Sequence, residues 1–439
     1  MSSPRTVVVA RSSPQQRRTI DNSARGLMRS PFVRILLITL LLQTVIYAMR
    51  PMVSYKAISI GANNAELGLI ASSFAVLSLL VAVSIGRWVD RWGEPRFVIA
   101  GAVIILSVAV GLIWIDSIWA LAASQAILGL GHILSVVATQ ALVANRGDPK
   151  KRNGRFGMFT VIVSLGQLVG PAGGGLLAGT SASDPSENTL GFGVEQVFLG
   201  ATIASLLATI IALSLIQPAR GTRGREKRVA PATDASPQLH LKYWESVGRV
   251  MKTPNMPQAM LVSLSVLTAI DILAAYLPAY GQANGLSVET VGLLLAARAA
   301  ASMGSRLLML PLLKFAGLRW TLALSAVLPA LALAVFPFVG SLPVLYVLLA
   351  LAGFGLGLGQ PVTLAWVAGQ APRAIRGTAL GVRITGNRLG QTVLPAAIGL
   401  IAGASSISAI FLALAGLLGA STLAVLRADF SKDLSSDQD

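Results

Sequence analysis

Cysteine is absent from this 439-residue chain, so no disulfide framework, thiolate metal site or thiol nucleophile can be built from it. Histidine occurs only as His132 and His240, which fall in different parts of the plan, so the two cannot join in a metal-ligand cluster or a nucleophile-and-base site. No Gly-x4-Gly-Lys-Ser/Thr loop occurs, which excludes that route to ATP-driven work. Charge is scarce too, at 12% of residues, while 54% are hydrophobic. Residues Leu67–Gly86, Phe97–Ile115, Ser117–Asn145 and Phe156–Ser183 contain no Asp, Glu, Lys or Arg. Each of these runs reaches the roughly 20 residues that cross about 30 Å of hydrocarbon as a helix. A soluble fold with this composition would be covered in apolar surface. The expected class is therefore an all-α membrane protein.

What charge there is lies unevenly. The net charge is +17. Twelve hydrophobic spans fall at about 33–55, 65–86, 97–115, 117–145, 156–180, 195–217, 257–283, 288–313, 320–340, 342–370, 377–403 and 405–426. With that plan, 29 of the 35 Lys and Arg fall on one side, four lie within spans, and Arg50 and Lys56 fall on the other side. The positive-inside rule makes the basic side cytoplasmic and puts both termini there, in a bacterial inner membrane. Anionic lipid headgroups, not nucleic acid, are the expected partners of this charge. The basic stretch before Pro31 has no apolar core with a cleavage site and reads as a cytoplasmic tail.

The longest polar segment, 218–256, separates two sets of six spans, and the sets repeat. Gly166-Gln-Leu-Val-Gly-Pro-Ala-Gly-Gly-Gly175-Leu-Leu-Ala-Gly179 aligns without gaps on Gly390-Gln-Thr-Val-Leu-Pro-Ala-Ala-Ile-Gly399-Leu-Ile-Ala-Gly403, with 9 identities in 14 positions. The same offset of 224 sets Gly68 on Gly292, Gly129 on Gly353, Thr139 on Thr363 and Arg152 on Arg376. Six spans per copy keep both copies in the same orientation, so the halves form a parallel repeat about an axis along the membrane normal. The expected organisation is a basic tail at 1–32, a six-helix bundle at 33–217, a linker at 218–256 with an amphipathic helix near Tyr243–Val250, a second bundle at 257–427 and a tail at 428–439.

After the second span the chain reads Gly86-Arg-Trp-Val-Asp90-Arg91-Trp-Gly93-Glu94-Pro95-Arg96. The fifth span carries Gly157, Gly166, Gly170, Pro171, Gly174 and Gly175 in a spacing that favours close helix packing around a bend. Together these stretches resemble the major facilitator superfamily, over roughly residues 33–427. The resemblance implies that Gly86, Asp90, Arg91, Gly93 and Arg96 form a cytoplasmic gating loop, and that the fifth-span glycines mark an antiporter branch. Glu94 and Pro95 depart from the usual basic pair. Gln125 stands where an export-branch arginine four residues before Gly129 is expected.

Charges inside a membrane are costly, by at least about 2.5–3.5 kcal/mol on insertion scales, and so point to function. Asp271, Arg298 and Arg388 fall near mid-depth, all in the second half, with Arg306 and Arg383 nearer the cytoplasmic end. Asp271 suits proton uptake and release, or a structural ion pair with an arginine. His132, Tyr47, Gln43, Gln167, Gln391, Gln360 and Asn387 add polar groups at similar depth. Tyr47 maps onto Asp271 under the offset. In the resembling family the first, fourth, seventh and tenth helices line the cavity, which selects Tyr47, His132, Asp271 and Gln360, with Arg298, Arg388, Gln167 and Gln391 beside them.

The resemblance implies no enzyme, cofactor or metal, but a monomeric secondary transporter of a small-molecule solute working by alternating access. The leading expectation is a proton-coupled exporter of small amphiphilic or drug-like compounds. One alternative is an importer of a small organic anion gripped by Arg298 or Arg388. Another is a non-transporting membrane sensor on the same scaffold.

Overall fold

The computed structural model describes residues 30–82, 84–145, 152–180, 189–216, 243–371 and 376–430. Among these the first half runs α1 Pro31–Ser59, α2 Asn64–Val81, α3 Ile85–Trp92, α4 Glu94–Gly111, α5 Ile118–Asn145, α6 Arg152–Thr180 and α7 Thr189–Leu213. After α8, Tyr243–Met251, the second half runs α9 Met256–Ala283, α10 Val288–Leu307, α11 Met309–Val335, α12 Leu342–Gln370, α13 Arg376–Ala404 and α14 Ser408–Leu426. All but α3 and α8 are at least 18 residues long, and ten of those twelve are apolar enough to cross a membrane. The other two, α10 and α13, carry Arg298 with Arg306 and Arg383 with Arg388. The expected 1–32 tail (bar its last residues), most of the linker and residues 431–439 of the expected 428–439 tail lie outside the described residues.

Local chemistry repeats with the offset. Asn63 caps α2 through its side chain and Glu66 returns the bond, while its repeat mate Ser287 caps α10 by accepting from the Thr290 amide. Gly93 ends α3 at φ 91°, and its mate Gly317 interrupts α11 at φ 73°. Both sit in the left-handed region that glycine enters without steric cost. The second-half counterpart of the α3 loop is thus Met309 to Gly317. This corrects the expected eighth span: it ends at Leu307 and not at 313, because the chain turns there into that counterpart. For the same reason the expected 65–86 span stops at Val81.

Each half packs around its own first helix, α1 against α5, α6 and α7, and α9 against α12, α13 and α14. The halves meet where α2 crosses α13 and α6 crosses α10, with α1 beside α9. The offset exchanges the first two crossings, so the contact is pseudo-twofold.

The start of α1 and the end of α7 share a face, joined by Arg34 Nη1 donating to the Ser214 carbonyl at 2.9 Å. At the opposite, far face both crossings close on glycine. A Cβ on Gly175 would lie 2.9 Å from Gly292 Cα, and one on Gly68 would lie 3.1 Å from Gly399 Cα. Tyr276 Oη donates to the Asn64 carbonyl at 2.9 Å in the second notch. Near the terminal face, Gly154 and Gly157 of α6, Gly304 of α10 and Gly377 and Gly381 of α13 have no atom of another element within 4 Å of such a Cβ. The halves are therefore closely packed at the far face, while these terminal-face glycines face open space.

Candidate functional site

Asp271 lies in the middle of α9 and is 5% exposed. Its Oδ1 faces Arg50 Nη1 at 2.5 Å, and its Oδ2 accepts from Gln391 Nε2 of α13. Gln391 Oε1 in turn accepts from Arg388 Nη1 at 3.1 Å. The carboxylate is the node of a chain, Arg50–Asp271–Gln391–Arg388, that begins in the first half and ends in the second. Full hydrogen bonding and a counter-charge are what a buried carboxylate requires.

Arg50 is the partner sequence reasoning missed. It was counted with Lys56 on the far side, yet it lies well inside α1 and is 7% exposed, with its guanidinium 4.4 Å from the centre of the Phe74 ring. The usable signal was the apolar sequence continuing past Arg50 through Met52, Val53 and Tyr55, which keeps α1 helical to Ser59. Central charge is thus shared by both halves and not confined to the second. Lys56 does sit at the far face, donating to the Leu112 carbonyl at 3.0 Å.

A second bond mirrors the first. Gln167 Nε2 of α6 donates to Tyr47 Oη of α1 at 3.1 Å. The offset carries Tyr47 onto Asp271 and Gln167 onto Gln391, so each half ties its first helix to its fifth through the same pair of positions. Arg298 of α10 is 3% exposed, and its Nε has no hydrogen-bond partner among the described residues. Tyr47 is its foremost electrostatic neighbour, followed by Arg306, Asp271 and Arg50.

The remaining expected residues divide by role. His132 Nε2 stands 3.5 Å from Gln43 Nε2, and its ring centre is 5.7 Å from that of Phe74, which brings it into the first-half wall beside Arg50. Gln360 is bound on two sides: its Nε2 donates to the Ser263 carbonyl at 2.7 Å and its Oε1 accepts from Arg383 Nη2 at 2.9 Å. Arg383 also reaches Thr363 Oγ1 at 3.0 Å, so this pair binds α9, α12 and α13 together. Arg306 Nη1 donates to Ser164 Oγ at 2.7 Å and bridges α10 to α6 across the halves.

The fifth-span glycines separate by direction. Gly166, Gly170 and Gly174 face α1 at Gln43, Thr44 and Ala48, Gly175 faces α10, and Gly157 faces open space. Pro171 lies inside α6, and its carbonyl oxygen is 2.5 Å from where a Gly292 Cβ would be. In the α3 loop, Asp90, Arg91 and Arg96 are exposed, and Gly86 has nothing within 4 Å. Glu94 Oε1 accepts from Asn145 Nδ2 at 2.9 Å, which ties the loop to α5 of its own half.

Known proteins agree with this architecture. The family model described as Major Facilitator Superfamily matches residues 35–308 and 259–436. The cis,cis-muconate transport protein of Acinetobacter baylyi is 25% identical over 370 residues, 81% of this chain and 84% of its own length. Multidrug resistance protein 2 of Bacillus subtilis is 26% identical over 157 residues, a match that spans only 36% of that relative. Among solved structures, a D-xylose-proton symporter superposes with a TM-score of 0.69 at 15% identity, covering 91% of this chain and 98% of the symporter, and shares its fold. With two such halves, their membrane-spanning helices and a model match across nearly the whole chain, this protein belongs to the Major Facilitator Superfamily.

Proposed function

We propose that the protein moves a small organic anion by alternating access, with Asp271 as the group that couples transport to protons. One observation carries the reading. At the centre of the bundle stand three arginines, Arg50, Arg298 and Arg388, and among the described residues one carboxylate, Asp271. Uncompensated positive charge in a low-dielectric interior is unfavourable, and a solute carboxylate relieves it. The relative that aligns along most of the chain is named for cis,cis-muconate, itself an organic anion. The Arg50–Asp271 bridge joins α1 to α9 across the halves, so its loss would remove one inter-half contact.

A second reading, proton-coupled export of amphiphilic or drug-like compounds, is favoured by the fifth-span glycines and by the multidrug resistance relative. Counterflow in proteoliposomes decides between them. Vesicles preloaded with unlabelled benzoate or cis,cis-muconate should accumulate the labelled form, and an imposed pH gradient should drive it. Counterflow of a lipophilic cation such as ethidium, with none of either carboxylate, sinks the anion reading in favour of the exporter.

A further inference from the structure

Beside the Arg50–Asp271 pair, on its far-face side, four helices border a small cavity. Arg50, Val53 and Ser54 of α1 line it, with Ile70 of α2, Gln125 of α5 and, from the opposite half, Ala275 of α9. Ser54 and Ala275 each stand one helical turn beyond Arg50 and Asp271 in chain order. The cavity measures about 10 Å³, on the scale by which a single water needs roughly 10–15 Å³. Its wall is unusually polar for a gap between membrane helices. Gln125 is 3% exposed, and its Nε2 has no hydrogen-bond partner among the described residues. Ser54 is 4% exposed, and Arg50, at 7%, has Nη1 engaged by Asp271.

The repeat shows that the fold does not require these polar side chains. The offset of 224 sets Arg50 on Ala274, Ser54 on Pro278 and Gln125 on Leu349, all apolar and buried. The second half thus closes the equivalent positions with hydrocarbon, while the first half keeps a guanidinium, a hydroxyl and an amide around a gap. A buried amide without a partner is costly, and cavities that stay dry are apolar ones.

We propose that this cavity is a hydration site, in which one water bridges Gln125 and Ser54 to the Arg50 guanidinium and so holds Arg50 against Asp271. The water accepts from Gln125 Nε2 and from the guanidinium and donates to Ser54 Oγ, three bonds, the usual number for a buried water. Gln125 and Ser54 are then positioning residues of the ion pair that joins the halves. Ala275 supplies the last wall, so the site is complete only while α9 lies against α1. The proposal holds for any solute, because it concerns what fixes Arg50.

The test combines a density map of the full chain, fine enough to show ordered water, with melting temperatures in detergent. The wild-type map should show a peak within hydrogen-bonding distance of both Gln125 Nε2 and the Arg50 guanidinium. That peak should vanish in Gln125→Leu, which installs the residue type the second half carries at this place. Gln125→Leu should also melt a few degrees below wild type, and this loss should disappear in a background carrying both Arg50→Met and Asp271→Leu, since the amide acts through the guanidinium. Should Gln125→Leu fail to fold, Ser54→Ala in the same two backgrounds decides with the map. An empty cavity in the wild-type map overturns the proposal, as does anomalous signal there after bromide exchange, which would mark an anion. Melting of Gln125→Leu at or above wild type overturns it too, because an apolar side chain stabilises a cavity that is dry. An equal loss in both backgrounds would show that Gln125 does not act through Arg50, and overturns the positioning role.

Discussion

Asp271 and Arg50 show what a membrane interior demands of single residues. Each is almost wholly buried, and neither could be left alone without a large penalty. Replacing one partner should therefore cost more than replacing both. Asp271→Leu and Arg50→Met are each expected to lower stability in detergent by about 3–5 kcal/mol, and the double variant to recover most of that. Additivity of the two losses within about 0.5 kcal/mol would show that the pair is not coupled. The sequence marked Asp271 plainly, since it stands alone as an acid in a long apolar run. It did not mark the partner, because ion pairing between α1 and α9 depends on how two distant helices rotate, which spacing along one helix does not encode. Gln360 illustrates the converse. Its depth suggested a cavity wall, but its amide is engaged by Arg383 and the Ser263 carbonyl, a matter of side-chain direction that spacing does not encode.

Among the helices, glycine decides where the halves can touch. Gly175 meets Gly292, and Gly68 meets Gly399, at contacts related by the repeat. A branched side chain at any of the four leaves the backbones no room, so Gly175→Val should destabilise the closely packed far face. Because the chain has no native cysteine, a single engineered thiol reports this without background. Ser405→Cys, in a second background carrying Gly175→Val, is expected to react with a membrane-impermeant maleimide several-fold faster than in the parent. Equal rates would mean that the glycine contact does not hold the face closed. The offset of 224 made this level of structure largely legible from sequence: it paired Gly68 with Gly292, aligned Pro171 with Pro395, and anticipated the parallel halves. Its limit was the short segments. α3 and its counterpart before Gly317 are each too brief to show a period, and only the backbone at Gly93 and Gly317 separates them from the neighbouring spans.

For the whole molecule, the halves meet through close glycine contacts at one face, with the charged centre between them. Chemistry at that centre favours a solute carboxylate, and binding it adds a contact between the halves that the empty protein lacks. The expected consequence is closure of the terminal face and release of the far one. Distances between paired spin labels test this most directly. One pair, on Gly154→Cys and Gly304→Cys, spans the terminal face, and the other, on Ala62→Cys and Ser405→Cys, spans the far face. With a carboxylate that supports counterflow, the first distance distribution should shorten and the second lengthen, and Arg298→Gln should abolish both changes. Distributions that stay unchanged at both faces while that carboxylate is bound and transported would contradict alternating access about the glycine crossings.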